Sequence, residues 1–153
     1  MSGSLRAWYS LRDLEALGGR QGELDGELEL AGLPRLGELL HSTAGSVRAS
    51  LHLRQRGVGA LAATLDLDTT VELLCQRCLE PFAQPIKEHL ELMLVEPGAS
   101  SDSIPEGCEP VELDNGRLMP ARLIEDELIV SIPLVPKHAR IEDCGSLARN
   151  STN

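Results

Sequence analysis

Aromatic side chains are almost missing. Trp8, Tyr9 and Phe82 are the whole set, 2% of 153 residues. A core with so few rings has to be built from Leu, Val, Ile and Ala. Platforms of stacked bases, used by many single-strand RNA binders, are largely excluded. Cations are scarce too, with 14 Lys and Arg against 24 Asp and Glu, a formal charge of −10. Phosphate backbones repel such a surface, because counterion release needs clustered Lys and Arg. A basic protein is the better-matched partner. No apolar run approaches the ~20 residues that span a bilayer. The opening residues carry Arg6, Arg12 and Asp13 instead of the apolar h-region of an export signal. The expected place is the reducing cytoplasm, away from membranes.

Catalytic patterns are missing as well. His41, His52 and His89 stand in no Ser/His/Asp or His-Glu-x-x-His arrangement and read as solvated side chains. Gly57 and Gly59 read as hairpin glycines, since no phosphate-loop or dinucleotide pattern surrounds them. The chain reads as a non-enzyme with no small-molecule substrate.

What is present suffices for one globular unit. Apolar residues make up 42% of the chain, so a real core is expected and residues 1–153 read as a single domain. Residues 1–32 are glycine-rich and weakly patterned, a loosely structured leader in which Glu27-Leu28-Glu29-Leu30 alternates like an edge strand. Pro34 sits well at a first helical position. Leu33, Leu36, Leu39 and Leu40 follow at helical spacing, with Gly45 as a stop. From Ser46 the period changes to two. Val47, Ala49, Leu51 and Leu53 form one face, and later alternating runs begin at Leu61, at Thr70 and at Ile86. Pro81 and Pro85 mark a loop between the last two runs.

Residues 96–110 read as a mobile loop, followed by a short strand and a turn at Asp114-Asn115-Gly116. A helix is predicted from Pro120, with Ala121, Ile124, Leu128 and Ile132 inward and Glu125, Asp126 and Glu127 covering the outside; Pro133 and Pro136 end it. The tail, 139–153, is polar. The fold class is α+β: an antiparallel sheet of about four to six strands, open or curled toward a barrel, with two or three helices packed on it.

Chemistry gathers at Leu74-Cys75-Gln76-Arg77-Cys78. Two thiols three positions apart at the end of a strand can hold a metal ion, exchange disulfides, or sit inert in a turn. Zinc needs four ligands, and one pair supplies two. His138 and Cys144 complete the set if the tail folds back over the strand end, while Cys108 is a spare. The cofactor expectation is therefore none or one structural zinc. The redox alternative gains from Arg77, a cation that favours thiolate, and loses because reactive pairs usually open a helix. For nucleic acid or partner binding the candidates are Arg48, Arg54, Arg56 and Arg77, the only local basic face, and the acidic run Glu125, Asp126 and Glu127.

Three stretches in this order resemble the bacterial YceD family, the large ribosomal RNA subunit accumulation proteins. They are the Cys-x-Arg-Cys-hydrophobic-x-Pro-Phe run over 75–82, the Glu125-Asp126-Glu127 helix running into Pro133 and Pro136, and the late His138 and Cys144. Cys108 is outside the pattern. The resemblance implies a non-enzymatic factor in ribosome biogenesis. Its role would be synthesis, processing or accumulation of 23S, large-subunit, ribosomal RNA. The expected partner is a ribosomal or RNA-processing protein. Direct contact with large-subunit RNA through the basic sheet face is the alternative, and a redox protein using Cys75 and Cys78 is another.

Overall fold

The computed structural model describes residues 2–56, 61–98 and 104–144, with backbone only at 2–4. The expected glycine turn at Gly57 and Gly59, residues 99–103 of the predicted mobile loop and the tail beyond Cys144 lie outside the described residues.

Six strands form one open sheet: β1 (Ser2–Ser4), β3 (Glu23–Glu29), β4 (Ser46–Gln55), β5 (Leu61–Leu74), β6 (Pro81–Val95) and β7 (Glu109–Glu112), in that order. The three inner pairings, β3 to β6, are antiparallel, as alternation predicts. Each edge strand, β1 and β7, joins in parallel. The linear order leaves two edges, so the sheet is no closed barrel. A second ribbon pairs β2 (Tyr9–Ser10) with β8 (Arg117–Leu118). Three helices accompany them: α1 (Leu11–Gly19), α2 (Pro34–Gly37) and α3 (Pro120–Ser131).

Strict alternation makes β4 the clearest strand. Val47, Ala49, Leu51 and Leu53 are buried, and Arg48, Ser50, His52 and Arg54 face the other way. Tyr9 and Ile124 aside, the largest fully buried side chains are all leucines, so the aromatic-poor composition is met by aliphatic packing. Each such burial contributes about 1.5–3 kcal/mol.

The leader is more structured than its pattern predicts. Its glycines mask a capping box at α1, where Ser10 Oγ accepts from the Asp13 amide at 3.2 Å and Asp13 returns the bond at 3.4 Å. Leu14 and Leu17 are then buried, and α1 packs on β4 and β5. Gly18 lets α1 approach closely, since an added Cβ would lie 2.5 Å from Leu61 Cδ1. The Glu27 to Glu29 stretch belongs to β3; β1 pairs only with Glu23 to Asp25, so among the described residues Glu27 to Glu29 lie at the sheet edge, as their alternation predicts.

Three further expectations are corrected. The runs starting at Leu61 and Thr70 form one 14-residue strand, because Asp66 and Asp68 fall on its outward positions and do not break it. Pro81 and Pro85 lie within β6, not in a loop. Among the described residues, β6 has a partner beyond β5 only from Leu92 onward, so the missing proline N–H breaks no ladder bond on that side. The helix at Pro34 stops after one turn, and Leu39 is exposed.

On α3 the inward stripe holds Leu123, Ile124 and Leu128, while Ala121 is exposed and the acids Glu125 and Glu127 are buried. Glu125 turns inward because its carboxylate caps α2: it accepts from the Arg35 amide at 2.8 Å, the Leu36 amide at 3.2 Å and Arg35 Nε at 3.0 Å. Burial alone would raise the Glu125 pKa, but these donors outweigh it and lower it. Asp126 stays exposed and pairs with Arg35 at 2.7 Å. No helix among the described residues is long and apolar enough to cross a membrane.

Candidate metal centre

β5 and β6 pair from Leu61–Leu94 at one end to Leu74–Pro81 at the other, leaving residues 75–80 as a six-residue connection. The Cys75 amide reaches the Glu80 carbonyl at 2.9 Å, and the Leu79 amide closes back on the Cys75 carbonyl at 2.8 Å. Closing this tight bend forces Leu79 to φ 62, the left-handed region that costs a non-glycine residue of order 1 kcal/mol. The bend points the Cys75 and Cys78 thiols to one side.

The closing segment meets them there. Pro133 and Pro136 forbid continuation of α3, so the chain turns across the bend, where the Gln76 amide donates to the Pro136 carbonyl at 2.8 Å. A 3-10 turn at Ile141–Asp143 then delivers Cys144. Cys75, Cys78 and Cys144 are each at most 3% exposed and form a small cluster of their own, with Phe82 packed against it. The Phe82 ring lies 4.8 Å from that of His138.

All four candidate ligand atoms lie within 4.8 Å of one another. Cys75 Sγ and Cys144 Sγ are 3.8 Å apart, and His138 Nδ1 is 3.5 Å from Cys78 Sγ and 3.4 Å from Cys144 Sγ. Zn–S bonds of ~2.3 Å and Zn–N bonds of ~2.05 Å imply tetrahedron edges of ~3.8 Å between sulfurs and ~3.5 Å between sulfur and nitrogen. Three of the six donor separations thus match the edges of a zinc tetrahedron, and none exceeds 4.8 Å.

The surroundings of Cys75 favour a negative sulfur. Burial raises the Cys75 pKa, but amides of Cys78, His138 and Arg77 outweigh it and bring the thiol down to about 5. One of these bonds, His138 N–H to Cys75 Sγ, spans 3.4 Å. Arg77 Nε lies 3.2 Å from Cys144 Sγ, and Arg77 Nη2 donates to the His138 carbonyl at 2.7 Å. Burial nonetheless raises the Cys144 pKa, against the pull of Arg77. Near-complete burial of the sulfurs, in a bend and not at a helix N-terminus, works against thiol–disulfide exchange, which needs access. Cys108, half-buried before β7, stands outside this group.

A family model for the large ribosomal RNA subunit accumulation protein YceD matches residues 63–152. The chain belongs to the YceD family. A curated relative of that name from Haemophilus influenzae is 39% identical over 70 residues, 45% of this chain. The aligned stretch spans 40% of that relative's own length. No solved structure matches. The YceD match begins within β5 and contains all four candidate ligands.

The remaining candidates are scattered. Arg48 and Arg54 lie on the outward face of β4, where Arg48 pairs with Glu27 at 3.3 Å and Arg54 with Glu91 at 2.9 Å. Across the strands the register runs Glu27, Arg48, Asp68, Lys87, a ladder of alternating sign. The expected basic face is therefore a mixed one, because Glu27 of β3 and Asp68 of β5 flank Arg48, and Glu91 of β6 pairs with Arg54. Arg56 is exposed just beyond β4. Arg77 belongs to the thiol cluster. Asp126 and Glu127 line a groove beside α3, while Glu125 is committed to α2.

Nothing in the local pattern marks Arg35 as the partner of Glu125. A buried acid 90 residues away carries no local signature.

Proposed function

We propose that this YceD protein promotes the synthesis, processing or stability of large-subunit (23S) ribosomal RNA without catalysing a reaction. It acts in the cytoplasm by docking a basic ribosomal or RNA-processing protein, and Cys75, Cys78, His138 and Cys144 hold one structural zinc. The observation that carries this reading is the convergence of four protein donors, three of them buried, within 4.8 Å of one another. A catalytic zinc keeps a ligand position open for water or substrate, whereas a set of four protein ligands is closed. Such a centre fastens the segment after α3 to the β5–β6 bend. The zinc would also relieve the crowding of three sulfurs at one buried point.

Protein docking is preferred to direct RNA contact on charge. The net charge is −10, and both arginines of the β4 face already have carboxylate partners. The test is complementation in a strain lacking the protein, read as the ratio of large- to small-subunit ribosomal RNA. Cys75→Ser should fail to restore the ratio, and the Arg48→Glu/Arg54→Glu double variant should restore it. Loss of restoration with the arginine pair alone would support RNA contact and contradict this reading.

A further inference from the structure

α3 and β7 face each other across an open groove of about 540 Å³. Its walls carry five carboxyl side chains, those of Glu109, Glu112, Asp114, Asp126 and Glu127. Two guanidiniums share the space, and both are engaged: Arg122 pairs with Asp114 at 3.6 Å, and Arg117 lies 4.2 Å over the Trp8 ring. Asp126 is held by Arg35. Glu109, Glu112 and Glu127 enter none of the ion pairs formed among the described residues. Glu127 is only 9% exposed; its carboxyl shares a hydrogen bond with that of Glu109 and also feels the charges of Asp126 and Glu88. Burial, then these like charges, push its pKa up to about 7.

A carboxyl removed from water and placed among other carboxyls keeps its proton, shared with a neighbour, until a cation joins it and takes the proton's place. Beside these acids the groove is apolar, with Val111, Leu113 and Leu123 below and Val130 on the rim. Val130 is 79% exposed, and fully exposed Leu134 continues the apolar surface past the helix end.

We propose that this groove seats an extended, basic segment of a partner protein, with a lysine or arginine between Glu127 and Glu109 and a neighbouring aliphatic residue covering Val130. The proposal rests on the reading above, in which the partner is a basic protein, and assigns it a place. Charge complementarity selects the occupant. Nucleic acid presents anions to an anionic wall, and strand addition to β7 is disfavoured because that edge is four residues long and carries Pro110. Rim acids then speed encounter, and the buried one holds the complex.

The test is fluorescence anisotropy of a labelled peptide of alternating lysine and valine, titrated with the full chain at low salt. Glu109→Lys/Glu112→Lys should weaken binding about tenfold or more. Asp25→Lys/Glu29→Lys has the same charge change on β3, four strands away and ~19 Å across the sheet, and should cost about twofold or less. Glu127→Gln should lower affinity while thermal stability is kept or raised, which separates lost binding from lost folding. Equal weakening by both lysine pairs, or binding that does not saturate, would overturn the proposal. In the complementation strain, normal ribosomal RNA with Glu109→Lys/Glu112→Lys would overturn the groove and leave the ribosomal reading standing. Normal ribosomal RNA in the strain lacking the protein altogether would overturn that reading instead.

Discussion

Glu125 offers the sharpest stability experiment, because its contacts can be converted to an expected loss. Its carboxylate is 8% exposed and accepts two backbone N–H groups from the first turn of α2 as well as Arg35 Nε. Glu125→Ala removes them all. Leu36 is fully buried, so its amide cannot recover a water partner, and an orphaned buried donor costs about 1–3 kcal/mol. The Arg35 amide loses a charge-assisted bond but lies on an exposed residue, adding about 1 kcal/mol. The Arg35 side chain is half exposed, so its ion pair adds little. The total is about 3 kcal/mol. Glu125→Gln keeps one acceptor oxygen and should lose roughly half as much.

Urea unfolding followed by circular dichroism measures both variants, with an unchanged slope confirming that the folded state is retained. The pH dependence supplies a second signature. The folded pKa of Glu125 is depressed, so its contribution is in place above the unfolded value near 4.5 and drains as pH falls through the folded value. Glu125→Gln should flatten the stability profile in that acid range. A loss below about 1 kcal/mol for Glu125→Ala, or an unaltered acid slope, would refute the claim that this carboxylate ties α2 to α3.

Other outcomes follow from the same geometry. Glu127 behaves oppositely to Glu125: its folded pKa is raised to about 7, so its charge destabilises progressively as pH rises from the unfolded value near 4.5 through 7. Glu127→Gln should therefore stabilise at pH 8, by about 1 kcal/mol after allowance for solvent screening, and have no effect near pH 4, as thermal melts at the two pH values would reveal. Leu79→Gly should raise stability slightly, by about 0.5–1 kcal/mol, because the left-handed turn is free to glycine and Leu79 is exposed. A destabilised Leu79→Gly would mean that this side chain packs against something. Chelation should leave β4 and β5 protected from amide exchange while residues 133–144 lose protection, since the centre fastens that segment alone.

Much of this architecture is legible in the residues, where local pattern and tertiary demand agree. β4 alternates without a fault. α3 begins at Pro120 and stops before Pro133, and Asn115 and Gly116 take the positive φ values that a turn between short strands requires. Legibility fails where a long-range partner reverses the local reading. Glu125 looks solvated beside Asp126 and Glu127, yet Arg35 and the start of α2 draw it inward. Pro81 and Pro85 look like loop markers, yet an unpaired edge accepts them. The arginines of β4 look like a basic face until the register sets Glu27 and Asp68 beside Arg48 and brings Glu91 of β6 to Arg54. The four candidate ligands were readable as residue types. That His138 and Cys144 reach Cys75 depends on the proline-directed turn after α3, and the convergence of the four donors is visible only in three dimensions.

Metal content tests the central claim most directly. The chain, purified without chelator and measured by plasma emission spectrometry, should carry one zinc per chain. Cys108→Ser should retain it, and Cys78→Ser or Cys144→Ser should lose it and release residues 133–144 to proteolysis. Metal-free wild-type protein with that segment still protected would contradict the account, and so would zinc retained in full by both Cys78→Ser and Cys144→Ser.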